Sequence, residues 1–308
     1  MSPLIPYSLQ KIWNHPAHRS LSGLPALIAP LSRSCAWGGY QLQKQLKLFP
    51  AEGRIIPWVD DLKVQLLSSS QQSQTCLYYG LGDWPSMQFL RRYLRLGDLC
   101  ADIGANVGTY TLLLAQRSGA RNVHAFECLP SNIAKLQTNL RLNSFQEVTV
   151  HNIALADCNG TVSLNYNDGD STASISPSSE TQTSLLIAAK RFDSFVWSDR
   201  FAYIKIDVEG AEQLVLAGSE KLLESQPPMV WSFEYLDTQQ RLGSSKAELL
   251  EAFARWNYHF YLYRPEENRL IPFLPDTSGV YPTRQDDNVL AIHSTAFNTV
   301  AQRLCGLT

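Results

Sequence analysis

From Leu99 onward the chain alternates between short apolar runs and segments whose apolar residues recur at helical spacing. Leu99 to Ile103, Asn122 to Phe126, Val148 to Ile153, Phe201 to Ile206 and Met229 to Glu234 have the length and side chains of buried strands. Between them, Tyr110 to Arg117 reads as a helix that stops before Gly119, and Ser131 to Leu142 carries Leu136 and Leu140 in register. Glu212 to Leu223 and Lys246 to Trp256 read as two more helices. Strands that alternate with helices predict a parallel sheet flanked by helices. Tyr258 to Tyr263 and Val289 to His293 are strands with no long helix between them, so they are expected to pair antiparallel at one edge. Thr161 to Tyr166 reads as a strand beside a loop, and the Ser/Thr-rich stretch Asp168 to Thr183 as flexible.

The first 85 residues have a different texture. Seven prolines, from Pro3 to Pro57, punctuate them. Ala36 to Leu48 is long enough for one helix. Arg54 to Leu67 and Thr75 to Tyr79 read as short strands around a Ser/Gln-rich turn, Ser68 to Gln74. Met87 to Leu94 then reads as a helix ending in the turn Leu96-Gly97-Asp98. The expected division is an N-terminal extension, 1–85, and a main domain, 86–308. The extension is either a lid or acceptor platform, for which its many aromatics speak, or a packing extension.

Composition narrows the classes. The 308 residues carry 44% hydrophobic and 18% charged residues and a net charge of −2, which speaks against nucleic acid as the partner. The charge is uneven: residues 1–54 hold six Lys/Arg against the single acid Glu52. That segment either meets something anionic or packs on its own acidic body. Leu21 to Leu31, the most apolar window, is short and broken by Pro25 and Pro30, so no transmembrane segment or signal peptide is expected. The six cysteines are scattered without a C-x-x-C, which predicts reduced core thiols and a cytoplasmic protein.

The sharpest chemistry lies in Asp102-Ile-Gly104-Ala105-Asn106-Val-Gly108-Thr109-Tyr110-Thr111, a buried strand entering a Gly-rich turn and then a helix. Gly104 and Gly108 leave room for a ligand to approach the backbone. The G-x-G-x-x-G of a dinucleotide site is missing, which counts against a nicotinamide oxidoreductase, and Asp102 would repel pyrophosphate but suit an ammonium group. Glu127 ends the next strand, where an acid can accept both hydrogens of a ribose diol. An amino group and a ribose without a required phosphate describe S-adenosylmethionine. The second segment is Lys205-Ile-Asp207-Val-Glu209-Gly210-Ala211-Glu212. Asp207 and Glu209 follow a buried strand, where carboxylates take protons, hold an ammonium or bind a cation. Glu234 ends the following strand, and Asp207 with Glu234 would be the pair to hold Mg²⁺, with no third ligand evident. Glu212 reads as a first-turn acid of the next helix.

Together these segments resemble the FkbM family of S-adenosylmethionine-dependent methyltransferases. The carrying residues are Gly97-Asp98, DIGANVGTYT at 102–111, AFE at 125–127, Asn132, Asn139 and Asn143, IALAD at 153–157, the segment Phe192 to Phe195, and KIDVEGAE at 205–212. The resemblance covers about residues 75–240. Cys128-Leu129-Pro130 departs from it, since the family commonly has Pro directly after the acid. It implies a class I methyltransferase (Rossmann-like) fold, a seven-stranded, mostly parallel sheet with an antiparallel final hairpin. It also implies O-methyl transfer to a hydroxyl of a sugar, glycan, polyketide or other small metabolite. Cofactor contacts are expected from Asp102, Gly104, Ala105, Asn106, Gly108, Tyr110, Glu127 and Asn132. At Asp157 a turn role competes with a contact to the adenine amino group. Asp207 is the first choice for the general base and Glu209 the second. The reading from another class is a non-catalytic S-adenosylmethionine-binding or assembly protein with the same fold. Nothing in the sequence sets an oligomeric state.

Overall fold

The structure, a computed structural model, describes residues 38–43, 45, 50–166, 173–175, 183–235, 245–274 and 288–306. Residues 1–37, with the most apolar window, and most of 167–182 lie outside them. Residues 38–43 are helical, within the expected helix Ala36 to Leu48. A hairpin of β1 (Arg54–Pro57) and β2 (Lys63–Leu66) leads to helices α1 (Gln71–Tyr78) and α2 (Trp84–Tyr93). The alternating region gives β3 (Leu99–Ile103), α3 (Thr109–Ser118), β4 (Val123–Phe126), α4 (Pro130–Leu142) and β5 (Thr149–His151). A smaller sheet follows, from β6 (Ala154–Leu155), β7 (Gly160–Tyr166), β8 (Ala173–Ile175) and β9 (Thr183–Lys190). Then come β10 (Phe201–Ile206), α5 (Glu212–Ala217), α6 (Glu220–Ser225), β11 (Val230–Glu234) and α7 (Lys246–Ala254). The chain closes with β12 (Tyr258–Arg264), β13 (Arg269–Pro272), β14 (Asn288–His293) and α8 (Phe297–Leu304).

The main sheet has the order β13-β12-β14-β11-β10-β3-β4-β5. Strands β5, β4, β3, β10 and β11 are parallel, and β14 and β12 run antiparallel to their neighbours. This is the class I methyltransferase arrangement, with the seven expected strands and β13 added at the edge. The strand order reverses between β3 and β10, and the crevice at such a reversal is where open α/β sheets bind ligands. One face of the sheet packs Leu112, Leu113, Leu136 and Tyr203; the other packs Ile204, Ile206, Trp231 and Phe253.

Four local expectations change. Thr75 to Tyr79 is not a strand but largely part of α1, whose start is fixed by the Ser70 side chain accepting from Ser73 N–H. The Ser/Gln-rich stretch is thus a turn at Ser68 and Ser69 that runs into a helix start capped by Ser70. The stretch Glu212 to Leu223 divides into two helices at Gly218, where the Ala156 carbonyl comes so close that a Cβ would lie 2.1 Å from it. The smaller sheet was legible only as β7, because its partner β9 lies past a Ser/Thr-rich stretch. Cys76 and Cys100 are buried, but Cys158 and Cys305 are exposed rather than core residues.

The hairpin is fastened to the main domain by two asparagines, Asn139 of α4 and Asn143 at its C-terminal cap. Asn143 accepts from Lys63 N–H at 2.8 Å and donates to the Lys63 carbonyl at 2.8 Å. Asn139, itself buried, accepts from Gln65 N–H and donates to the Val107 carbonyl, both at 2.8 Å. Trp58, Val59, Leu62 and Val64 join the same core as Leu136 and Leu140. Asn139→Ala strips partners from two backbone groups at once. We expect it to lower stability by roughly 1–3 kcal/mol, read as a shifted urea-unfolding midpoint at unchanged slope.

Candidate functional site

The Gly-rich turn after β3 is held from both sides. Gly104 N–H and Ala105 N–H both donate to the Phe126 carbonyl at 2.9 Å, and Gly108 N–H closes the turn on the Ala105 carbonyl at 2.8 Å. Gly104, Asn106 and Gly108 have φ of 83°, 50° and 90°, the left-handed region. The room left by the two glycines is filled by protein, not kept for a ligand. A Cβ on Gly104 would lie 1.9 Å from the Asp207 carbonyl oxygen, and one on Gly108 2.4 Å from a Leu136 methyl.

Glu127 stands at the end of β4 and is 7% exposed. One oxygen accepts from the N–H groups of Cys128 and Leu129, the other from Asn106 N–H, all at 2.8 Å. Burial raises its carboxyl, and these donors together with the Asn132 side chain pull it back, leaving it above its ordinary value. The departure from the family pattern, Cys128-Leu129, supplies two of those donors.

On the other side of the crevice, Asp207 N–H donates to the Ile103 carbonyl at 2.8 Å. Glu209 at φ 53° and Gly210 at φ 104° then turn the chain. Glu212 is buried, and its Oε1 accepts from Val208 and Gly210 N–H at 3.3 Å each, so this acid shapes the turn as well as starting α5.

Between the two turns lies a cavity of about 320 Å³, lined by Gly104, Asn106, Glu127, Asn132, Asp207, Glu209 and Glu234. Phe126, Leu129 and Ile153 to Leu155 form its apolar wall, and Gln71, Gln72 and Thr75 of α1 close another side. The structure therefore brings seven of the expected residues together. Asp102, Ala105, Gly108, Tyr110 and Asp157 do not line it. Ala105 and Gly108 act through the backbone of the turn. Asp157 is exposed, and its carbonyl accepts from Arg191. The α1 residues were missed because α1 itself was misread; their polar side chains carried no signal of their own.

Asp102 and Tyr110 belong instead to a charged network behind the cavity. Lys205, fully buried in β10, donates to Asn288 Oδ1 at 2.8 Å and lies 3.7 Å from Asp207 Oδ2. Asn288 and the Tyr110 hydroxyl both donate to Asp83 Oδ2, and the Thr111 hydroxyl donates to Asp102. Burial lowers the Lys205 ammonium, but Asp207, Glu234, Asp83 and Asp102 outweigh it and hold it above its ordinary value. Asp102 is pushed up to about 6, first by burial, with Thr111 and Lys205 pulling it back. Glu234 is pushed up to about 7, first by burial and then by Asp207. Among the described residues, no three His, Cys, Asp or Glu side chains are placed to hold a metal ion, so the Asp207–Glu234 pair gains no third ligand from them. No helix among them is long and apolar enough to cross a membrane.

Residues 102–260, more than half of the chain, match the family model described as the methyltransferase FkbM domain. No curated protein matches the chain. Among solved structures it is similar to an rRNA methylase from Streptococcus thermophilus, at 13% identity and TM-score 0.39, covering 67% of this chain and 91% of that one. It is similar to a precorrin-6y C5,15-methyltransferase from Geobacter metallireducens, at 12% identity and TM-score 0.39, covering 70% and 88%. A SAM-dependent O-methyltransferase from Thermotoga maritima shares 16% identity at TM-score 0.39, covering 79% and 78%.

Two outcomes follow from this geometry. Gly104→Ala forces a Cβ against backbone at positive φ, so it should cost more than about 1 kcal/mol of stability. Ligand affinity should fall in step. A lost affinity at unchanged stability would show that the ligand, not Asp207, occupies that space. Asp102 binds its proton more tightly folded than unfolded, so its share of stability falls as pH rises from about 4 through about 6. Asp102→Asn should flatten that stretch of the stability curve, measured by urea unfolding at stepped pH.

Proposed function

The chain belongs to the FkbM methyltransferase family, and from that premise we propose that it transfers the methyl group of S-adenosylmethionine to a hydroxyl oxygen of a small molecule or glycan. The observation that carries the reading is the cavity with two unlike ends. At one end Glu127, held by three backbone N–H groups, faces the space where a ribose diol would donate to it. Beside it, the apolar wall of Phe126, Leu129 and Ile153 to Leu155 fits a flat base. At the other end stand Asp207, Glu209 and Glu234, carboxylates that between them can accept from an ammonium group and take a departing hydroxyl proton. These residues fit the cofactor, which when bound supplies a methyl group already activated on a positively charged sulfur. The protein has mainly to align the acceptor oxygen and remove its proton, and alignment alone is worth about 7–11 kcal/mol.

Residues 71–75 support an acceptor platform in the N-terminal extension. Gln71, Gln72 and Thr75 face the cavity, and Gln72 Oε1 is buried with no hydrogen-bond partner among the described residues. A hydroxyl-rich acceptor would satisfy it.

Methyl-labelled S-adenosylmethionine offered with methyl glucoside, a hydroxylated polyketide and their amine analogues tests the reading. Label is expected in the hydroxyl compounds. Transfer to the amines alone would refute O-methylation, and binding of S-adenosylhomocysteine without transfer to anything would favour the non-catalytic reading. Glu127→Ala should weaken S-adenosylhomocysteine binding by about 1.5–3 kcal/mol in calorimetric titration, with the fold intact by circular dichroism.

A further inference from the structure

The three carboxylates at the acceptor end are not equivalent. Asp207 turns toward Lys205, with 3.7 Å between Oδ2 and Nζ. That ion pair ties the Asp207 carboxylate to the charged network behind the cavity. Glu209 rides on the left-handed turn rather than on a strand, so its carboxylate is the least fixed by secondary structure. Glu234 ends β11 one step beyond the Ile206–Phe233 pair of the parallel register, which places it beside Asp207. It lines the same cavity, and among the described residues its carboxylate makes neither a hydrogen bond nor a salt bridge.

We propose that Glu234 is the residue that takes the acceptor's hydroxyl proton, with Asp207 held by Lys205 as its anionic neighbour. The inference rests on the hydroxyl reading above. The acceptor oxygen forms its bond to the methyl carbon with a lone pair as the carbon–sulfur bond breaks, that pair returning to sulfur. The O–H pair stays on oxygen, and the proton passes to Glu234 and then to solvent. The groups acting on Glu234 are Lys205 of β10, Asp207 directly after it, Asp83 ahead of α2 and Glu209 of the turn, while Asn288 is its cross-strand partner on β14. Three of those four charges are acidic. Burial and the three acids outweigh Lys205 and raise the Glu234 carboxyl to about 7, where a base is strong and still about half unprotonated at neutral pH.

Two measurements test it. In the ligand-free protein, carboxyl-carbon NMR with labelled glutamate should show one signal titrating near pH 7 that is missing from Glu234→Gln. A Glu234 signal titrating in the ordinary glutamate range overturns the proposal whatever the acceptor. With S-adenosylmethionine and an acceptor labelled in the assay above, Glu234→Gln should lower kcat by roughly 10²–10⁴-fold and abolish its rise through neutral pH. Its S-adenosylhomocysteine affinity should stay within about threefold of wild type. A Glu234→Gln enzyme that keeps the rate and its pH rise overturns the proposal, as does a rise lost in Asp207→Asn instead. A wild-type protein that methylates no hydroxyl overturns the hydroxyl reading and this step with it, a failure distinct from that of the NMR titration.

Discussion

The site depends on one backbone contact. The turns after β3 and β10 meet where Asp207 N–H donates to Ile103 and the Asp207 carbonyl occupies the place a Gly104 side chain would take. These are the two strands at which the sheet order reverses, so they diverge toward opposite halves of the sheet. Each turn carries half of the cavity. The first holds Asn106, whose N–H steadies Glu127; the second carries Asp207 and Glu209. A larger residue at 104 would move both halves at once, because two packed backbones have no flexible side chain to give way.

Two ways of holding a buried carboxylate meet across this contact. Glu127 is solvated by backbone: three N–H groups fixed by the turn and the start of α4 stand in for water. The acids around Lys205 share a single buried cation, and Asp102, Asp207, Glu234 and Asp83 all act on it. One cation cannot neutralise four carboxylates, so burial and mutual repulsion raise the carboxyls that the cation does not contact. That is why Asp102 and Glu234 sit well above the ordinary range. The same imbalance favours a positively charged ligand beside it.

Much of this was legible in the sequence, and for physical reasons. Buried parallel strands are continuous apolar runs, so β3, β4, β10 and β11 stood out, and strand ends are where acids such as Glu127, Asp207 and Glu234 become chemistry. Side-chain direction was not legible. Asp102 and Tyr110 sit in the strongest motif of the chain, yet they point to Thr111 and Asp83 behind the cavity. At Asp157, where a turn role competes with an adenine contact, the side chain is exposed, and the apolar wall is made by Ile153 to Leu155 just before it. Gly104 reads from the sequence as room for a ligand, whereas the three-dimensional fold fills that room with the Asp207 carbonyl.

The N-terminal elements illustrate why a linear boundary misleads. A Pro-punctuated stretch ahead of a regular βα rhythm looks separable, but β2 has an open edge, and backbone groups there need partners. Asn139 of α4 and Asn143 at its C-terminal cap supply them, which gives two family-marking asparagines a structural task. Because Asn139 also holds the Val107 carbonyl, the fastening of the hairpin and the shape of the Gly-rich turn share one side chain. Past the hairpin, α1 reaches the cavity with Gln71 and Gln72, and Asp83 enters the network behind it through Tyr110 and Asn288. A segment that both closes the cavity and anchors its charged floor is coupled to the site at two points. Sequence differences between 71 and 83 therefore act on the cavity wall and on the charged network behind it together, rather than on a detachable cover.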